Sequence, residues 1–465
     1  MCTSCENADP VSTPWNSTRI RTALVLFFCT VAVYATVAGT RIWKSSANNH
    51  FAYLARSHLS GTTRMIDMRP HGNDWARVVT LTLADGRIVR GTWWKSQGSH
   101  VFRTLSGGFL QIPDSQIRTR TENWYVTFPP MPAWMMLPGV AIWGLSFNDV
   151  LFTLLLSTFN TLLFWFLLLQ ARTLQLHTRT DSQILILTAL FAFGTVNFFS
   201  SVRGEVWYTA HIAGITWLLA YFLALLKRRA FWAGFFLGGA FLCRTPLLFA
   251  VFLYPAWVAF QENSWRVRQH HVREALAYAA PIIVFMGVAM FLNYVRFENP
   301  FEFGHRYLEI AWRNRIERYG MFSYEYLSRN LSAMLTLLPR FLPHAPFVQI
   351  SPHGMALWLT TPVFLLLVRA QFPHAFTRCV WLFGVLPVSL PTLLYQNSGF
   401  VQFGYRFSLD FTVPLLLLLA MSNVRFSRLF YVLVGISILV NLFGAITFGR
   451  FSMFYPSSNF FFFVM

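Results

Sequence analysis

The sequence predicts an all-α polytopic membrane protein of about eleven transmembrane helices, with a small β insertion in its first outer loop. Three observations predict it. Of 465 residues, 55% are hydrophobic and only 12% are charged, whereas a soluble domain carries about twice that charge. Apolar runs of about 20 residues, long enough to cross a bilayer, recur along the chain. After the first run comes a polar loop with a hairpin signature, Asp85-Gly86 between alternating strand-forming residues.

Residues 1–18 are polar and read as a disordered cytoplasmic tail, with the transmembrane domain over 19–465. Arg19 and Arg21 precede the first run, 23–43, and place the N-terminus inside. That run is too long for a signal-peptide core and lacks a small-residue cleavage site, so it reads as an anchor. Further spans are expected near 149–170, 183–201, 207–226, 231–243, 246–260, 276–294, 354–369, 379–396, 408–423 and 429–447. Short loops expected inside are basic, at Arg172 and Arg179, Lys227 to Arg229, Arg266 to Arg273, Arg369 and Arg378, and Arg425 and Arg428. Short outer loops carry single arginines, Arg203 and Arg406, so the charge rule holds at every turn and puts the C-terminus outside.

The formal charge of +19 is spread mostly around the spans, where it suits anionic headgroups. No compact basic motif points to nucleic acid. Cys29, Cys243 and Cys379 fall in or beside apolar runs and read as packing residues. Cys2 and Cys5 have metal-like spacing, but no second pair follows, so no metal site and no disulfide framework is expected.

The first outer loop, 44–131, contains the β-unit, set at 74–118 and expected to be separable from the membrane core. The loop closes on residues 124–144, where Pro129, Pro130, Pro132 and Pro138 argue against an uninterrupted span. Trp124, Tyr125, Trp134 and Trp143 suit headgroup depth, so a short surface helix is expected there before the span at Asp149. Cys243-Arg244-Thr245-Pro246 splits the 231–260 run into two short helices, with Thr245 as cap and Arg244 beside a helix N-terminus. Residues 296–353 mix arginines with aromatics and read as amphipathic surface helices. No inverted repeat of the transporter kind stands out.

Several stretches, taken together, resemble the GT-C class of membrane glycosyltransferases, above all its protein-mannosyltransferase and aminoarabinose-transferase branch. They are N-N-H-F-A-Y-L-A-R-S-H-L-S-G from residue 48, G-L-S-F-N-D-V-L-F-T from 144, and A-F-W-A-G-F-F-L-G-G-A-F-L-C-R-T-P-L-L from 230. N-Y-V-R-F-E-N-P-F-E-F-G from 293 and Q-F-G-Y-R-F-S-L-D-F from 402 are similar to uncharacterised bacterial members. The resemblance implies a bacterial inner-membrane enzyme that moves a sugar from a polyprenyl-phosphate carrier to a glycan, lipid or protein acceptor at the outer face. It implies no cofactor.

Such transfer needs an acid to activate the acceptor and cations for the departing lipid phosphate. The class places the acid just after the first span, but Lys44 to His50 carries no carboxylate. Glu205, Asp410 and His50 are the catalytic candidates, and Arg203, Arg244 and Arg406 the candidates for the lipid phosphate. Asp149 reads first as a helix N-terminal carboxylate. Asp67 and Asp74 are substitutes of lower rank, since loop carboxylates are usually solvated, and His211 and His305 read as hydrogen-bonded structural residues. Two other functions compete: a non-catalytic scaffold or assembly partner with the same fold, and a lipid or glycan transporter.

Overall fold

The computed structural model describes residues 17–70, 74–94, 98–261, 269–310 and 312–456. The expected tail up to residue 16, Cys2, Cys5, Arg266 and Arg268 lie outside the described residues. Helix already begins at Ser17, inside the stretch assigned to the tail.

The fold is that of a helical membrane protein. Among the described residues six helices are long and apolar enough to cross a bilayer: Ser17–Trp43, Asp149–Thr173, Val206–Leu226, Gln269–Phe297, Ala375–Leu394 and Arg428–Thr447. Each coincides with an expected span. The other expected spans are shorter or irregular, and the breaks have local causes. The run at 183–201 divides into Asp181–Phe193 and Asn197–Ser201 around Gly194. The run at 231–260 becomes Ala230–Phe241, a 3-10 helix Thr245–Phe252 that Pro246 opens, and Leu253–Gln261. Its cap position is Arg244 rather than Thr245. Pro362 likewise opens a 3-10 segment, Pro362–Arg369, after the single turn Leu357–Thr360.

The bundle is built around two helices. Val206–Leu226 is 78% buried over its most apolar window, and every residue of Leu409–Met421 is buried. Ser17–Trp43 and Gln269–Phe297 are only 17% and 22% buried, so they turn most of their surface to lipid. Apolar attraction does little between helices in lipid, and small and polar residues take over. Accordingly Thr153 meets Thr209 at 2.6 Å, Ser157 meets Ser201 at 2.6 Å, and Asn160 donates to the Ile212 carbonyl at 2.9 Å.

The first outer loop forms a five-stranded antiparallel sheet from β1 (Trp75–Leu83), β2 (Ile88–Trp93), β3 (Val101–Thr104), β4 (Phe109–Gln111) and β5 (Ile117–Val126), in the order β4-β3-β2-β1-β5. The Asp85-Gly86 turn joins β1 to β2, with Gly86 at φ +84. β5 runs past residue 118 to pair along β1 as far as Trp75↔Val126. The sheet also shares its core with its surroundings. Ala76, Val78 and Tyr125 pack on Phe297, Tyr307 and Leu308, while Trp75 and Val126 pack on the His50–Leu59 helix and on Val206. The hairpin signal is local, but the packing that completes it is not. Replacing residues 74–118 by a short linker is therefore expected to uncover Phe297 and Tyr307 and to yield aggregated protein on size-exclusion chromatography. A monodisperse product would show the unit to be separable.

The Pro-Pro entry leads into a helix, Met131–Trp143, that lies against His50–Leu59. Trp134 Nε1 donates to His58 Nδ1 at 2.9 Å. Burial pushes His58 down to about 4, so the ring is neutral at pH 7, and the Trp134 donor makes Nδ1 its proton-free nitrogen. Of the surface helices expected in 296–353, Arg313–Tyr319 and Leu327–Leu335 form.

Candidate functional site

Three helix ends and one strand start meet at a single cavity. The first is the turn before Val206–Leu226, where Gly204 at φ +81 separates Arg203 from Glu205. A Cβ at Gly204 would stand 2.5 Å from Val150 Cα, so only glycine fits. The turn folds Arg203 onto Glu205, with Nε to Oε2 at 3.0 Å and Nη2 to Oε1 at 2.5 Å. Arg203 also donates to the Phe448 carbonyl at 2.9 Å.

The second is the start of Leu409–Met421. Arg406 is almost fully buried, and its Nη1 donates to the carbonyls of Gly399 and Val401. Its Nε has no hydrogen-bond partner, and no carboxylate pairs with it among the described residues. Four residues on, Asp410 is wholly enclosed and serves Arg244 from the third helix end, accepting from Nε at 3.1 Å and Nη2 at 2.7 Å. His211 Nδ1 lies 3.2 Å from the same carboxylate. Gly214 leaves room for the Arg244 stem, since a Cβ there would touch its Cγ at 3.2 Å.

Asp74 is the residue that loop reasoning ranked low. It stands immediately before β1 at φ +70 and accepts a hydrogen bond from Trp207 Nε1 at 2.7 Å. Burial raises its pKa, opposed by the Trp207 bond and by Arg406. A carboxylate so placed holds its proton more readily than a solvated one, which suits proton exchange with a substrate.

The cavity has a volume of about 610 Å³, and Arg203, Arg244, Arg406, Arg450 and Asp74 line it. Its cationic side is a strip in which guanidinium groups alternate with rings. Phe407 lies 5.2 Å from Arg244 and 5.3 Å from Arg406, and Tyr208 lies 5.6 Å from Arg406 and 5.4 Å from Arg203. The rings exclude water from the arginines and so strengthen their pull on an anion. Glu205 and Asp410, behind the wall, pair with Arg203 and Arg244; among the described residues neither Arg406 nor Arg450 has a carboxylate partner, and Arg450 donates to the Val37, Ala38 and Ile446 carbonyls.

The structure thus brings Arg203, Arg244 and Arg406 onto one wall. Glu205 and Asp410 stand behind it, each engaged by an arginine. His50 is fully buried, stacked on Trp75 at 3.7 Å between ring centroids, and contributes no surface to the cavity. Asp149 accepts from Ser46 N at 2.7 Å and Ser46 Oγ at 2.5 Å, a helix-start carboxylate tied to the end of the first span. His211 is hydrogen-bonded, as expected, and His305 lies on the cavity wall. Arg450 escaped sequence reasoning, as did Trp207, whose only sequence signal is its place in S-V-R-G-E-V-W-Y. Among the described residues no three His, Cys, Asp or Glu side chains gather where they could hold a metal ion.

Gly449 at φ +68 packs directly against the Arg203 guanidinium. Gly449→Ala is expected to cost more than about 1 kcal/mol, because a Cβ there adds strain and displaces the arginine. A thermal melt unchanged from that of the unmodified chain would contradict this.

Comparison with protein-family models, with curated proteins and with solved structures finds no match to this chain.

Proposed function

We propose that this chain is a glycosyltransferase that moves a sugar from a polyprenyl-phosphate carrier to an acceptor at the outer face of the membrane. One observation carries the reading: Asp74 shares its cavity with an arginine strip in which Arg406 has no carboxylate partner among the described residues. Transfer needs those two chemistries within one enclosed volume. Asp74 takes the proton of the acceptor hydroxyl as that oxygen bonds to the anomeric carbon. The bond from that carbon to the phosphate oxygen breaks, and the arginine strip receives the polyprenyl phosphate. Asp74 then occupies the role that the segment after the first span leaves vacant, while Glu205 and Asp410 orient Arg203 and Arg244.

In this reading the chain crosses a bacterial inner membrane about eleven times, the shorter helices pairing to complete crossings, with its N-terminus inside. Single cysteines at Ser99, Thr173 and Ser427, in a chain stripped of its native cysteines, are expected to be labelled from outside only at Ser99. Labelling at Thr173 in intact cells would contradict the orientation.

The binding step is tested with farnesyl phosphate as a short carrier analogue. It is expected to bind the purified chain in lipid nanodiscs, whereas farnesol, which lacks the anion, is expected to bind far more weakly. Equal binding of the two would remove the arginine strip from the account.

A further inference from the structure

Between the helix Leu327–Leu335 and the turn Leu357–Thr360 lies a small hairpin. Its strands, β6 (Arg340–Phe341) and β7 (Val348–Gln349), pair antiparallel, with Arg340 opposite Gln349 and Phe341 opposite Val348. The hairpin is apolar and open: Phe341 is 79% exposed and Phe347 63%. Leu338 ahead of it is exposed too, as are Leu331 and Leu335, which stand one turn apart on one face of their helix. An exposed apolar surface of this extent marks a contact with lipid or with another protein.

Three features say which. The first is depth. The roots of the hairpin are tied to the ends of the bundle, Ala356 N donating to the Leu337 carbonyl at 2.9 Å and Ile350 N to the Phe454 carbonyl at 2.8 Å. Phe454 follows the end of the apolar helix Arg428–Thr447, which is only 33% buried, and its neighbours Ser452 and Tyr455 line the cavity. The hairpin therefore springs from the level at which membrane helices end. The second is the backbone. Leu342 N donates to the Phe347 carbonyl and Phe347 N to the His344 carbonyl, each at 2.9 Å, while Pro343 and Pro346 have no N–H. Four of the six residues in the tip, 342–347, thus offer no free backbone donor, which is what an apolar medium demands. The third is charge. Residues 326–353 contain Arg329 and Arg340 and no carboxylate, a balance that suits anionic headgroups. A second copy packed here about a two-fold axis would set these arginines against themselves, with no acid in the segment to pair them.

From these features we infer that the 338–349 hairpin is a membrane anchor, its tip seated in the headgroup–acyl boundary of the leaflet at the cavity end of the bundle. Phe341 and Phe347 enter the acyl region, and Arg340 stands level with the headgroups. The anchor holds β7, and through Phe454 the Ser452–Tyr455 wall of the cavity, at the membrane surface. It does not depend on the proposed transfer reaction.

The test uses the full chain, stripped of its native cysteines, in nanodiscs that contain anionic lipid. A nitroxide label is placed singly at Phe341, His344 or Phe347, and its collisions with oxygen, which concentrates in lipid, and with a water-soluble nickel chelate are measured. Leu439, 66% exposed on the last membrane helix, is the lipid control, and Arg87, on the β1–β2 turn with its side chain 70% exposed, is the water control. The oxygen-to-nickel ratio at 341 and 347 is expected to approach that of Leu439 and to exceed that of Arg87 severalfold. Phe341→Ser together with Phe347→Ser, two exposed positions whose loss leaves the packing intact, is expected to bring the ratio at residue 344 down to the Arg87 value. A water-like ratio at 341 and 347 in the otherwise unmodified chain would overturn the inference. So would labels that neither reagent reaches, which would mean a protein cover, or a ratio at 344 unmoved by the double substitution.

Discussion

Asp74→Asn is expected to lower sugar transfer by about 10²- to 10⁴-fold, the range that a positioned general base supplies, while farnesyl phosphate binding persists. The amide keeps an oxygen to accept from Trp207 Nε1, which now sits 2.7 Å from Asp74 Oδ2, so local geometry should survive. The pH profile gives a second signature. Burial raises the Asp74 pKa, and the base works only when ionised. Transfer should therefore fall with decreasing pH at a higher value than an ordinary carboxylate dictates, and the Asn variant should lack that limb. The same shift has a stability consequence. A carboxyl whose folded pKa is raised contributes stability below its unfolded pKa and loses it as pH rises through the folded value. Above its raised pKa the ionised Asp74 is thus a burden on the fold, and there Asp74→Asn should melt at the same or a higher temperature. Undiminished transfer by the variant would remove Asp74 from the mechanism.

Arg406→Ala should weaken farnesyl phosphate binding by about 10- to 100-fold, the worth of hydrogen bonds to a charged group. Arg406 is singled out because Arg203 and Arg244 are already neutralised by Glu205 and Asp410, and Arg450 commits both Nη1 and Nη2 to backbone carbonyls. Since its Nη1 also braces the Gly399 and Val401 carbonyls, the alanine variant loses structure along with charge. Arg406→Lys separates the two effects. Lysine keeps the positive charge but lacks the planar fork that can brace the loop and face a phosphate together. Its binding should lie between the wild-type and alanine values, with a melting temperature closer to wild type. Equal binding by wild type, Lys and Ala proteins would mean that the anion rests elsewhere.

The physical reasons for what the sequence revealed differ from residue to residue. Arg203, Arg244 and Arg406 were readable because a charge at the end of an apolar run is costly unless it has a task or a partner. Arg203 and Arg244 take their partners from the few acids, Glu205 and Asp410. The six long helices were readable from length and hydropathy alone. The breaks at Gly194, Pro246 and Pro362 show why the shorter runs were not: an apolar run says that residues are buried, not that one helix carries them across.

Asp74 was hidden for a different reason. Alone in a polar loop it looks solvated, and its enclosure depends on long-range partners, the Ala76–Leu308 bridge and Trp207. His50 is the opposite case: its place near the first span matched the expected acid, and Trp75, one residue after Asp74, takes it into a stack. The β-unit was legible only in part on the same ground, its hairpin being local and its packing shared with Phe297 and Tyr307.

The central claim is that one cavity holds a lipid phosphate on its arginine strip opposite a working carboxylate. A cryo-EM density map of the chain in nanodiscs with farnesyl phosphate tests it most directly. The account predicts the phosphate within hydrogen-bond reach of the Arg406 guanidinium, with Asp74 facing it across unfilled cavity. Density for the phosphate outside this cavity, or Asp74 turned away from it, would contradict the account.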